Sequence, residues 1–148
     1  MTMQPINKAY DVVIVGARCA GAATAMLLAS RGLRVLVFDK SRLGADTMST
    51  HALMRSAVLL LRRWGITDRL DDEGTPQIKK TSFAYVGDHG SSAIDIDIKP
   101  RQGVDALYAP RRTVLDRALV EAAREQGADV RHGVQMPDLV RDDAGRVS

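Results

Sequence analysis

The sequence predicts an α/β domain built on a parallel βαβ unit, and three observations carry that prediction. Tyr10-Asp11-Val12-Val13-Ile14-Val15 sets four β-branched residues in a row and stops at Gly16, the pattern of a strand buried in a parallel sheet. A helical stretch follows from about Ala20 to Ser30, with small residues at Gly21 and Ala25 that let one face approach the sheet. Leu33 to Phe38 is then a second buried strand, ending at Asp39. Strand, helix and strand within about 30 residues force the two strands parallel.

Past Asp39 the alternation breaks. Lys40 to Thr50 reads as a polar loop. A helix is expected from about His51 to Trp64, capped by Ser49 or Thr50 and stopped by Gly65, with Leu53, Ala57, Leu60, Leu61 and Trp64 on one side. A short helical turn is expected at Asp68 to Asp72. Phe83 to Val86 and Ala93 to Ile98 read as two strands joined by the hairpin loop Gly87-Asp88-His89-Gly90. Ile94, Ile96 and Ile98 alternate with Asp95, Asp97 and Lys99, which predicts one wet face. Thr113 opens a further helix with Asp116 in capping-box spacing, and Gly127 ends it. Ala128 to Arg131 is expected to be a third parallel strand. Val134 to Val140 is expected to start another, interrupted by Pro137, and Asp142 to Gly145 is a turn. Ser148 falls where a returning strand should begin, so the domain reads as incomplete.

Composition narrows the function class. A chain of 148 residues with 45% hydrophobic and 26% charged residues is neither disordered nor fibrous. Its formal net charge is +3, from 21 basic and 18 acidic residues spread along the chain, which gives no footprint for nucleic acid. No apolar run reaches the ~20 residues of a spanning helix, and Met1 to Tyr10 has no signal-peptide core. The single cysteine, Cys19, cannot form an internal disulfide. Together these point to a cytoplasmic protein.

Gly16-Ala17-Arg18-Cys19-Ala20-Gly21, between the first strand and the first helix, is a variant of the dinucleotide turn G-x-G-x-x-G. Gly16 permits the tight exit from the strand, and Gly21 lets the helix pack on the sheet. The helix start supplies amide donors and a positive dipole end for a diphosphate. The turn has a strand before it, a helix after it, and an acid, Asp39, closing the next strand. A carboxylate there accepts from ribose hydroxyls and repels a 2′-phosphate, which disfavours NADP. Arg18 stands where the motif has its middle glycine, and two readings compete. The side chain either swings out to add a cation near the phosphates or weakens binding. The intact surroundings favour the first. A plain strand-to-helix turn is disfavoured by Asp39.

Tyr10 to Lys40, YDVVIVGARCAGAATAMLLASRGLRVLVFDK, resembles the N-terminal segment of FAD-dependent oxidoreductases of the glutathione-reductase-like fold. Within these it is most similar to the aromatic-hydroxylase flavoprotein monooxygenases, with the geranylgeranyl-reductase-like proteins beside them. Arg111-Arg112-Thr113-Val114-Leu115-Asp116, with Leu119 following, is similar to the Arg-x-x-Leu/Phe-Asp-x-x-Leu segment of the same family. The resemblance covers about residues 9 to 141. It implies a three-layer, Rossmann-like FAD-binding domain with an inserted antiparallel hairpin, in which residues 1–8 form a tail and residues 9–148 the N-terminal portion of the domain. It also implies that Gly16, Ala17, Arg18, Ala20 and Gly21 surround the pyrophosphate and that Asp39 binds the adenosine ribose. Lys40 then lies near the adenine, with backbone contacts from Met136, and Arg112 lies along the flavin-ribityl side. The loop Thr47-Met48-Ser49-Thr50-His51 falls where the family brings chain close to the isoalloxazine. The family's Asp-Gly and later Gly-Asp segments are absent from these residues.

The activity so implied is that of a monooxygenase using FAD, NAD(P)H and O₂ on a small apolar or aromatic molecule. Two alternatives are a non-catalytic nucleotide-binding remnant and a geranylgeranyl-reductase-like flavin reductase. An NAD-binding dehydrogenase domain fits less well, because a plain Rossmann unit continues with helix and parallel strand rather than a hairpin. No catalytic residue or oligomeric state follows from the sequence. His51, at a helix start near the expected flavin, reads either as a proton donor or flavin contact or, the reading favoured, as a residue that only shapes the loop; His89 and His132 have no Cys, Asp or Glu at metal-ligand spacing, so no metal site is expected. Cys19 reads as a small buried residue, Trp64 as core, Arg62 and Arg63 as helix surface, and Asp95 with Asp97 as a solvated face.

Overall fold

The computed structural model describes residues 9–49, 52–87, 90–136, 138 and 140–145. The chain divides into two compact units, one drawn from Met1–Asp46 with Asp116–Ser148 and the other being Thr47–Leu115.

In the first unit, β1 (Val12–Val15), β2 (Val35–Asp39) and β7 (Asp129–His132) form a parallel sheet in the order β1-β2-β7. Val12 pairs with Val35, and Asp39 with His132, so the carboxyl ends of β2 and β7 finish side by side. Helix α1 (Cys19–Ala29) makes the crossover and buries Ala22, Ala25, Met26 and Ala29. Small residues at this spacing bring the helix axis close to the sheet, as the sequence predicts. Central β2 is buried along its whole length. β1 is not, since Val13 is 51% and Val15 66% exposed, so β1 is half-covered rather than enclosed. The reason is position: β1 is an edge strand, and among the described residues of this unit only one of its faces is covered. Helix α4 (Arg112–Glu125) begins one residue before Thr113, placing Thr113 inside the first turn rather than at the cap. Its stripe of Leu115, Ala118, Leu119, Val120, Ala122 and Ala123 is buried, as its 3.6-residue period requires.

At the amino ends of the strands, polar pairs tie the sheet. Tyr10 donates its hydroxyl to Asp129 at 2.6 Å, and Arg34 pairs with Asp11 at 2.7 Å. The Arg34 side chain and backbone N–H together hold the Asp11 carboxyl down at about 2. The strand expected from Val134 does not form among the described residues. The chain leaving β7 is instead pinned to the end of β2, with Gly133 N–H donating to the Ser41 carbonyl and Val134 N–H to the Asp39 carbonyl at 3.2 and 3.0 Å. The turn at Asp142 is present, with Gly145 N–H bonded to the Asp142 carbonyl at 2.8 Å.

The second unit holds α2 (Arg55–Arg63), α3 (Thr67–Asp72), the short antiparallel pair β3 (Gln77–Ile78) and β6 (Leu107–Tyr108), and the hairpin β4 (Lys80–Gly87) with β5 (Gly90–Asp97). Helix α2 starts later than its periodicity predicts, because Leu53 forms a β-bridge to Tyr108 and Met54 occupies the cap position. The shift changes the buried face. Val58 and Leu61 go inward, Leu60 is 44% exposed, and Trp64 is only half-buried, so the core here is Ile66, Leu70, Val104 and Tyr108 instead. The expected capping residue Thr50, together with His51, lies outside the described residues, as do Asp88 and His89 of the hairpin loop. The hairpin pairs Phe83 with Ile94 and Thr81 with Ile96 on one face. That face is not buried: Phe83 is 50% and Ile94 55% exposed, so the ribbon is wet on both sides rather than one. A two-stranded ribbon has no second layer of its own to cover its apolar face.

Candidate cofactor site

The site is built where β1 and β2 end. Gly16 adopts φ +102°, a region that side-chain-bearing residues avoid, and its N–H donates to the Phe38 carbonyl at 2.7 Å. That conformation turns the chain sharply from strand to helix. Ala17 follows, and its N–H donates to Asp39 Oδ2 at 2.7 Å. Arg18 is the N-cap of α1 in an extended conformation and supplies no side-chain cap, nor is there an acid in the first helical turn. Gly21 then passes directly under the turn: a Cβ built on it would stand 1.8 Å from the Gly16 carbonyl oxygen and 3.3 Å from Ile14 Cγ2. The glycine spacing thus reflects a physical contact between the helix and the turn.

Asp39 faces this turn from β2. It is 7% exposed, and Oδ1 accepts the Ser41 N–H at 2.7 Å while Oδ2 accepts that of Ala17. Burial pushes its carboxyl up, but the two amide donors and His132 outweigh it, so the pKa falls below the ordinary 3.8. The group is therefore an anion at neutral pH. Each carboxylate oxygen keeps a second lone pair for a further donor. His132 Nδ1 lies 3.2 Å from the Ser41 carbonyl, which can only accept, so that nitrogen carries the proton.

Between these groups lies an open cleft of about 560 Å³, lined by Val15, Gly16, Arg18, Asp39, Lys40 and Met136 among others. Five of the residues singled out in the sequence (Gly16, Arg18, Asp39, Lys40 and Met136) thus share one cavity, and Ala17 is fixed to it through Asp39. Ala20 and Gly21 lie in the first turn of α1. Arg112 opens α4 and belongs to the Thr47–Leu115 unit, whereas every residue lining the cleft belongs to the other. The Thr47–His51 loop is likewise in the second unit, with Met48 97% exposed and Thr50 and His51 outside the described residues. Sequence reasoning missed Ser41, whose amide fixes Asp39, and Asp116, which accepts from Arg18 Nη1 at 2.8 Å. The signal for Asp116 was an arginine in a glycine position, which needs a partner.

A second cleft of similar size, about 550 Å³, opens at the other end of the strands near Tyr10, Gly32, Arg34 and Asp129. Ligands of open α/β sheets bind outside the carboxyl ends of the strands, which favours the first cleft. There a helix start without a side-chain cap and a buried anion face one open space. That combination fits a diphosphate joined to a sugar.

A family model described as an FAD binding domain matches residues 9–147. The chain belongs to this FAD-binding family. FAD is accordingly its cofactor, and the residues of the first cleft fit the adenosine-diphosphate half of that molecule. The FAD-binding chain is 32% identical over 144 residues to the menaquinone reductase of Mycolicibacterium smegmatis, a match spanning 96% of this chain and 33% of that protein. It is 28% identical over 142 residues to the FAD-dependent monooxygenase OpS4 of Beauveria bassiana, covering 95% of this chain and 33% of that one. Among solved structures, the myxobacterial chondrochloren halogenase CndH superposes with a TM-score of 0.76 at 20% identity, over 90% of this chain and 31% of that one. That likeness shows the shared fold. The chain spans about a third of the length of these proteins. No described helix is long and apolar enough to cross a membrane, and no group of acidic, histidine or cysteine side chains among the described residues could hold a metal.

Proposed function

We propose that this chain binds FAD with the diphosphate at the start of α1, held by the Gly16–Gly21 turn with Arg18 beside it. Asp39 accepts from the adenosine ribose, Lys40 and the Met136 backbone flank the adenine, and Arg112 contributes on the ribityl side. The observation that carries this reading is the Ala17 N–H to Asp39 bond of 2.7 Å, which holds the ribose acceptor at the helix mouth. Bound FAD supplies two-electron redox chemistry at its isoalloxazine ring. The chain contributes binding, orientation and charge complementarity at the nucleotide end.

The wider activity we infer is that of a cytoplasmic flavin oxidoreductase: two electrons enter from NAD(P)H and pass to O₂, one oxygen atom being inserted into a small apolar or aromatic molecule and the other leaving as water. A monooxygenase among the relatives supports this, and the 32% identity to a menaquinone reductase favours, as a second reading, a flavin reductase. Titration of the purified chain with FAD, followed by flavin fluorescence and the visible spectrum, tests the binding claim. The expected result is quenched fluorescence with a perturbed flavin band, reversed by ADP. A colourless protein that leaves FAD fluorescence unchanged contradicts it.

A further inference from the structure

Asp39 is steadied from a strand that the dinucleotide turn does not include. His132 ends β7 and is the register partner of Asp39, the last residue of β2. The ring lies close enough to draw the Asp39 carboxyl down. Three donors at the exit from β7 grip the end of β2. His132 Nδ1 and the Gly133 N–H both reach the Ser41 carbonyl at 3.2 Å, and the Val134 N–H donates to the Asp39 carbonyl at 3.0 Å. The Ser41 N–H in turn donates to Asp39 Oδ1 at 2.7 Å. His132 Nε2 is buried with no hydrogen-bond partner among the described residues, so the ring bonds to its surroundings through Nδ1.

A carboxylate that meets ribose hydroxyls needs a fixed orientation, because hydrogen bonds weaken steeply when misaligned. The Ala17 N–H fixes Oδ2, and that donor belongs to the glycine turn. The Ser41 N–H fixes Oδ1, and that donor sits in the chain leaving β2, where the backbone is free to turn unless its carbonyl is anchored. Of the two groups that anchor the carbonyl, the imidazole is the one a side chain supplies. We infer that His132 is a positioning residue for the adenosine ribose: its Nδ1–H holds the Ser41 carbonyl, which aims the Ser41 amide at Asp39 and sets the carboxylate for the sugar hydroxyls. This inference rests on reading Asp39 as the ribose acceptor.

Two amide substitutions separate the ring nitrogens. The side-chain NH₂ of Asn reaches the place of Nδ1, whereas that of Gln reaches the place of Nε2. Calorimetric titration with ADP and with 2′,3′-dideoxy-ADP reads the sugar contact as a ratio of affinities. The parent is expected to prefer ADP about tenfold or more, as a charged acceptor for the hydroxyls requires. His132→Asn is expected to keep most of that ratio, and His132→Gln to lower it about threefold or more. A residue that merely fills space would not order the two variants in this way. Both variants keeping the ratio, both losing it, or the reverse order overturns the inference. A parent that does not distinguish the two nucleotides sinks the ribose reading itself, and the inference with it. Should His132→Gln fail to fold, the nitrogen spectrum of the parent ring in mildly alkaline buffer decides together with His132→Asn. A proton on Nδ1 with the ratio kept in His132→Asn supports the inference. A proton on Nε2, or a ratio lost in His132→Asn, refutes it.

Discussion

Gly21→Ala is expected to abolish FAD binding and to destabilise the first unit by about 3 kcal/mol. The added Cβ would fall 1.8 Å from the Gly16 carbonyl oxygen, and the atom it strikes is backbone, which cannot swing aside as a flexible side-chain end can. Either α1 lifts from β1 or the turn at Gly16 opens. Both move the helix-start amides that the diphosphate needs and break the tight fit against Ile14. Gly16→Ala makes an informative contrast. Its Cβ meets open space, so only the φ of +102° is strained, and the cost is expected to be about 1–2 kcal/mol. Urea unfolding and FAD titration of the two variants check the order. A Gly21→Ala protein as stable as the parent, with unchanged affinity, would show that the helix does not sit this close to the turn.

Asp39→Ala is expected to be the second most damaging change. It leaves the Ala17 and Ser41 N–H groups without their acceptor, which costs about 2–4 kcal/mol of stability for one buried and one half-buried donor. It also removes the proposed ribose acceptor, and the loss of a charged hydrogen-bonding group is expected to lower FAD affinity by about 10- to 100-fold. Asp39→Asn preserves shape but turns an NH₂ toward one of two amide donors, so it rescues only in part. The pH dependence has a definite sign. The folded Asp39 pKa is depressed below 3.8, so its stabilising contribution is present above that value. It is lost as pH falls from about 4 through the folded value. The apo parent should lose stability over that window, and Asp39→Asn should lack this component. Equal acid sensitivity in parent and variant would contradict the account.

The βαβ unit was legible because β-branched runs and a small-residue helix leave few alternatives over so short a stretch. The site followed from it, since Gly16, Gly21 and Asp39 are tied to one another through the backbone of that unit. What sequence could not show was tertiary. Val13 and Val15 read as buried, but their exposure depends on what lies beyond an edge strand. The start of α2 was misplaced because Leu53 is drawn into a bridge with Tyr108, a partner more than fifty positions away. The isoleucine alternation of β5 correctly separated two faces, yet a ribbon without a covering layer buries neither. Arg18 was legible as a departure from the motif, and its partner Asp116 stood in full view as a helix-capping acid. Only the fold brings the two together.

The most direct test of the central claim is an amide chemical-shift map of the isotope-labelled chain during titration with FAD. The account predicts that the largest shifts fall on Gly16 to Ala22 and on Asp39 to Ser41. The cleft lined by Tyr10, Gly32, Arg34 and Asp129 should stay unchanged. Shifts concentrated in that second cleft, with the start of α1 silent, would contradict it.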